Sequence, residues 1–138
     1  MRVLAIANQK GGVGKTTTAI NLGTALAATG SRALIFDTDP QGNASTGLDI
    51  HPHDRNVTSY DVLVGQLPLA KAVLPTKVPN LYITPGDARL SGVEGELMGE
   101  AQPQFFLRNA IEKFRGESTL GIDYILIDCP PSLNVLTV

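Results

Sequence analysis

A glycine loop bounded by two lysines, Lys10-Gly11-Gly12-Val13-Gly14-Lys15, with Thr16 and Thr17 after it, follows the apolar run Val3-Leu4-Ala5-Ile6-Ala7 and precedes a helical stretch. Glycines let a backbone turn tightly and bring its N–H groups against phosphate oxygens, and the first turn of a helix adds donors and partial positive charge. The spacing therefore suits a bound polyphosphate. Lys15 supplies a mobile point charge for β- and γ-phosphates, and the Thr16 hydroxyl is placed to ligate Mg²⁺. The general phosphate-loop pattern, Gly-x-x-x-x-Gly-Lys-Thr, would require glycine at position 9, where this sequence has Gln9, followed by Lys10.

Two further segments deliver acids. Ala33-Leu34-Ile35-Phe36 runs into Asp37-Thr38-Asp39-Pro40-Gln41-Gly42-Asn43, and Tyr124-Ile125-Leu126-Ile127 ends in Asp128-Cys129-Pro130-Pro131-Ser132. Carboxylates at the C-terminal ends of buried strands face the crevice in which open α/β sheets bind ligands. Asp128 then has the Walker B arrangement and is expected to reach the Mg²⁺ shell through water. Asp39 has a second reading, because Asp-Pro commonly initiates a turn. Other candidates read as structural. His51-Pro52-His53-Asp54 lacks a further ligand cluster and reads as a surface loop; Cys129 reads as a small packed residue; Phe105, Phe106 and Phe114 read as core.

Four non-alternating apolar runs must position these residues: the three above and Leu81-Tyr82-Ile83. Such runs suit strands covered on both faces, as in a parallel sheet between helices. Between them, Thr16 to Thr29 carries Ala19, Leu22 and Leu26 on one helical face, with Gly30 as its stop. Phe106, Ala110 and Phe114, with Leu107 and Ile111 beside them, form a second helical stripe. Shorter helices are expected at Ser59–Val64, Leu69–Val73 and Gly92–Met98, the last weakened by Gly92, Gly95 and Gly99. The pattern predicts one α/β domain over residues 1–138, a doubly wound, mainly parallel P-loop sheet with flanking helices. Only ten residues follow Asp128, the last six mostly apolar. The expectation is a partial domain, truncated after the Walker B strand.

Composition narrows the function. With 43% hydrophobic and 17% charged residues, the 138-residue chain is that of an ordinary globular protein. It has neither a long apolar span nor the features of a secretory signal, so the cytoplasm is expected and a membrane is not. One cysteine excludes an internal disulfide and a multi-cysteine metal site. A net charge of −2 speaks against a broad basic nucleic-acid-binding face on this segment.

Lys10-Gly-Gly-Val-Gly-Lys15-Thr16-Thr17 resembles the deviant Walker A motif of the ParA/MinD/nitrogenase-iron-protein group. Asp37-Thr-Asp39-Pro-Gln-Gly-Asn and Asp128-Cys-Pro-Pro-Ser are similar to ParA/Soj-type partitioning ATPases in particular. The resemblance implies ATP and Mg²⁺ as ligands, with residues 10–17 binding nucleotide and Thr16, Asp37, Asp39 and Asp128 serving the metal. It implies that Lys10 crosses an ATP-dependent homodimer to the partner's nucleotide, that Lys15 acts in catalysis, and that Asp39 positions the attacking water. It further implies nonspecific DNA and a ParB-like protein as partners, and association with the nucleoid when ATP is bound. The family's adenine- and DNA-contacting segments lie mostly beyond residue 138. A single cysteine does not fit a nitrogenase-type iron protein, and the basic amphipathic stretch of MinD-like membrane ATPases is absent from this sequence. Two other readings stand beside the ATPase: a nonhydrolytic binding or assembly module that completes its sheet through an exposed last strand, and a P-loop synthetase acting on a carboxylate.

Overall fold

In the computed structural model, which describes residues 1–7, 12–92, 103–117 and 120–129, each of the four apolar runs forms a strand. These are β1 (Arg2–Ala7), β2 (Ala33–Asp37), β4 (Leu81–Thr84) and β5 (Tyr124–Cys129), and a two-residue β3 (Leu74–Pro75) joins them. The strand order is β1-β5-β2-β4-β3. All pairings are parallel except that of β3 with β4. β3 was not foreseen: two residues carry no periodicity, and Pro75, lacking an N–H, is tolerated because β3 lies at the sheet's end.

The order corrects one expectation. β5 does not lie exposed; it is hydrogen-bonded on both sides, to β1 and β2, so it offers no edge to another chain. Among the described residues β1 lies at one edge of the sheet, opposite the two-residue β3, and its Leu4 is 40% exposed. The expectation that all four runs are covered on both faces therefore holds for β2, buried from Ala33 to Asp37, and fails for β1.

Side chains alternate across the sheet. Leu34, Phe36, Ile125 and Ile127 point to one face and pack with α3 (Ser59–Leu63) and α4 (Pro103–Glu117) through Val62, Leu63, Leu107, Ile111 and Phe114. Ile35, Leu81, Ile83 and Leu126 point to the other, against α1 (Gly12–Ala28) and the neighbourhood of α2 (Asn43–Gly47), through Ala27, Ala44 and Leu48. The same alternation puts Asp37 with Ile35 and Asp128 with Leu126, on the α1 face. Phe114 is core, as expected; the side chains of Phe105 and Phe106 lie outside the described residues.

α1 starts earlier than Thr16, because Gly12 and Gly14 enter its first turns despite their weak helix propensity. It stops as expected. Gly30 adopts φ 93°, its N–H donates to the Ala27 carbonyl at 3.1 Å, and the Ser31 N–H donates to the Leu26 carbonyl at 3.1 Å, a Schellman closure. Of the foreseen stripe of Ala19, Leu22 and Leu26, Ala19 is fully buried and the two leucines only partly so. Ala19 and Ala27 are buried at four-residue spacing from Gly23, and Leu22 and Leu26 flank them half-buried. A Cβ at Gly23 would lie 2.9 Å from Leu81 Cδ1 and 3.4 Å from Ile35 Cδ1. This small-residue seam sets how closely α1 lies on the sheet. Gly23→Leu is therefore expected to destabilise the chain by roughly 1–3 kcal/mol through overpacking, whereas Gly23→Ala, opposed only by a movable leucine tip, is expected to be near neutral; urea denaturation of both variants checks the contrast.

The short expected helices resolve variously. Ser59–Leu63 is helical with a capping box between Thr58 and Asp61. The Leu69 segment shrinks to a 3-10 turn over Leu69–Lys71. Of the stretch expected at Gly92–Met98, Gly92 closes a 3-10 turn begun at Ala88, and the remainder lies outside the described residues, as does the apolar tail. No described helix is long and apolar enough to cross a membrane.

Candidate active site

β2 and β5 place their acids side by side. Asp37 and Asp128 are register partners on adjacent parallel strands, which lie about 4.8 Å apart across the sheet, and both are fully buried. Thr38 locks the two strand ends together: its N–H and its Oγ1 both donate to the Asp128 carbonyl, at 3.1 and 2.7 Å.

The Asp37 carboxylate is held from both sides. Oδ1 accepts from the Asp39 N–H at 3.0 Å, and Oδ2 accepts from the Ser45 N–H at 3.2 Å and the Ser45 hydroxyl at 2.8 Å. Burial pushes its pKa from 3.8 up to about 6; the hydrogen bonds from Ser45 and Asp39 pull the other way, and the neighbouring Asp128 charge adds to the rise. No ion pair to Asp37 occurs among the described residues. A buried, closely set pair of carboxylates is a hard-oxygen donor set of the kind Mg²⁺ takes, and a cation there would offset both the burial cost and the Asp128 repulsion that raise Asp37. The residues present fit the metal.

Asp39, nearly buried, uses both oxygens to shape the loop after β2. Oδ1 accepts from the Gln41 N–H at 3.0 Å and Oδ2 from the Asn43 N–H at 3.3 Å. This is the turn-initiating arrangement that Asp-Pro suggests, and each oxygen retains a further acceptor site. Gly42 then takes φ 63° to start α2.

The loop after β4 closes the site from the side, a contribution sequence reasoning missed. Pro85 and Gly86 are buried, and a Cβ at Gly86 would lie 2.7 Å from the Asp39 carbonyl and 3.0 Å from the Asp37 carbonyl. Only glycine fits there. The Gly86 N–H donates to Ser45 Oγ at 3.2 Å, so the hydroxyl that holds Asp37 is itself held. Ser59, from α3, donates through Oγ to the Asp37 carbonyl and through N–H to the Pro85 carbonyl, the latter at 2.8 Å. Pro-Gly directly after an apolar run is a signal that could have found Gly86; Ser45 and Ser59 carry none.

Gly12, Val13, Gly14, Lys15, Thr16 and Thr17 form the opening turns of α1, the helix that packs on the face carrying both acids. Lys10 and Gly11 lie outside the described residues. His51 and His53 are exposed, their rings stacked at 5.5 Å around a 3-10 turn. Among the described residues no group of three metal-ligating side chains forms. A groove of about 800 Å³ between α3 and α4, lined by Val62, Leu67, Pro68 and Ala110, opens on the sheet face away from the acids.

A mainly parallel sheet, a glycine-rich sequence running from β1 into α1 and paired acids at neighbouring strand ends define a P-loop α/β protein. The chain matches the AAA domain family over residues 1–138 and belongs to it. Its likeness within that family is to ParA/Soj-type proteins. It is 60% identical to the chromosome partitioning protein ParA of Caulobacter vibrioides over all of this chain and 51% of that protein. It is 44% identical to the sporulation initiation inhibitor protein Soj of Bacillus subtilis, over 99% of this chain and 53% of that one. Cobyrinic acid a,c-diamide synthase of Mycobacterium smegmatis, solved with an ATP analogue and magnesium, superposes with TM-score 0.88 at 40% identity, over 99% of this chain and 54% of that one. The chain thus spans about half the length of the relatives it matches.

Proposed function

We propose that the intact protein is a Mg-ATP-dependent partitioning ATPase that dimerises on ATP, binds DNA without sequence preference and releases it on hydrolysis stimulated by a ParB-like partner. The observation that carries this reading is the burial of Asp37 and Asp128 in register on the face where α1 begins. In it, residues 1–138 form one partial P-loop domain, and residues 10–17 cradle the nucleotide phosphates. Lys15 neutralises the β- and γ-phosphates. Thr16, Asp37, Asp39 and Asp128 hold the metal directly or through water. When bound, Mg²⁺ would supply positive charge that offsets the charge developing on the phosphates. Asp39 uses its remaining acceptor sites to orient water, and Lys10 acts on the nucleotide of the partner subunit. Cytoplasmic location with ATP-dependent attachment to the nucleoid follows from the same cycle.

The synthetase reading has one observation in its favour, the likeness to the cobyrinic acid a,c-diamide synthase. A phosphate-release assay on this chain and on a longer form of the protein, with and without DNA and a ParB-like peptide, separates the two. The partitioning reading expects turnover in the longer form that rises on adding both DNA and peptide. Turnover indifferent to both, and demanding a small carboxylate instead, would support the synthetase.

A further inference from the structure

Arg55 follows the 3-10 turn of Pro52–Asp54 and none of its described hydrogen-bond acceptors is a carboxylate. Its Nε and Nη2 donate to the Ile50 carbonyl at 3.1 and 2.7 Å, Nη2 also to Thr46 Oγ1 at 2.9 Å, and Nη1 to the Gly86 carbonyl at 3.2 Å. A planar guanidinium with five donors in fixed directions can reach three acceptors spread around its plane, whereas a lysine's three donors all radiate from one nitrogen. The segments joined are α2, the loop beyond it and the loop after β4. Gly42 completes the nest, since any side chain there would collide with the guanidinium.

Gly86 is the link to the acids, through the two successive peptide groups that flank its Cα. Its carbonyl is fixed by Arg55, its N–H donates to Ser45 Oγ, and Ser45 Oγ donates to Asp37 Oδ2. Because Gly86 N–H occupies an acceptor site of the hydroxyl, the hydroxyl proton is directed to Asp37. Three hydrogen bonds thus connect a partly exposed cation to the buried carboxylate, with no bulk water between.

We infer that Arg55 is a positioning residue for the metal site: by fixing Gly86 and α2 it orients Ser45 and, through Ser45, the Asp37 carboxylate that receives Mg²⁺. The inference rests on the proposed nucleotide and metal roles. Partners that orient metal ligands in this indirect way typically matter by roughly 10–100-fold in metal affinity. In the full-length protein, Arg55→Gln is expected to raise the Mg²⁺ concentration at half-maximal nucleotide binding by about tenfold while leaving nucleotide affinity in EDTA unchanged, and Arg55→Lys is expected not to restore it. An unchanged Mg²⁺ midpoint in folded Arg55→Gln, or full rescue by lysine, would overturn the inference. Absence of nucleotide binding by the wild type would instead overturn the ATPase reading. A second measurement needs no variant: adding Mg²⁺ to the nucleotide-bound wild type is expected to move the ¹⁵N resonance of Arg55 Nε, and a resonance that stays fixed would contradict the linkage even if the variants fail to fold.

Discussion

In metal-free buffer, the stability of the wild-type chain relative to Asp37→Asn is expected to fall by about 3 kcal/mol between pH 3.5 and pH 7. The sign follows from the raised carboxyl of Asp37, about 6 in the folded chain against 3.8 unfolded, caused first by burial. Below 3.8 both states hold the proton, and the contribution is fully present. As pH rises, the unfolded chain loses its proton first, so unfolding gains. Above about 6 the folded chain must carry a buried charge beside Asp128, and two pKa units at roughly 1.4 kcal/mol each give the figure. Asparagine carries no such charge, so the difference between the two isolates Asp37 from other titrating groups. Urea denaturation in EDTA across that range measures it. Adding Mg²⁺ and nucleotide at pH 7 should act oppositely, stabilising the wild type and leaving Asp37→Asn little changed. A difference that is flat with pH would show that Asp37 is ionised without cost, and the site's affinity for a cation would lose its physical basis.

The second large effect concerns Lys10. Lys10→Ala in the full-length protein is expected to leave nucleotide binding to the single subunit nearly intact, while removing the ATP-dependent dimer and lowering turnover on the order of 10³-fold. That is the lower end of what a cation supplied across an interface gives to phosphoryl transfer. Light scattering for mass and phosphate release for turnover, run on the same samples, test the two halves together. A variant that still dimerises on ATP and hydrolyses at the wild-type rate would make Lys10 a solvated loop lysine. A variant that binds no nucleotide would place it in the phosphate cradle of its own subunit instead.

Much of this site is legible in the sequence because each acid stands where an apolar run ends. Asp37 after Ala33–Phe36 and Asp128 after Tyr124–Ile127 need only the rule that parallel strands aim their C-terminal ends at the ligand crevice. That they are neighbours in register depends on β5 inserting between β1 and β2, and no local pattern encodes strand order. The same order leaves β1 at an edge, where an apolar run alone had suggested full cover. Ser45, Gly86 and Arg55 escape a linear reading for another reason. They come from three segments separated by tens of residues, and each is of a type common in loops; only the fold converts them into a chain of hydrogen bonds ending on Asp37. On α1, glycine misled in both directions. Gly12 and Gly14 concealed the true start of the helix, and Gly23, a weak helix former, sits where an added Cβ would lie 2.9 Å from Leu81 Cδ1.

Whether residues 10–17 and the paired acids form one Mg-nucleotide site is decided by a calorimetric titration of Mg-ATP into this chain and into its Lys15→Ala variant. A single site gives saturable heat from the wild type, reduced when EDTA replaces Mg²⁺, and no measurable binding by Lys15→Ala. Identical heats from the two proteins would contradict it.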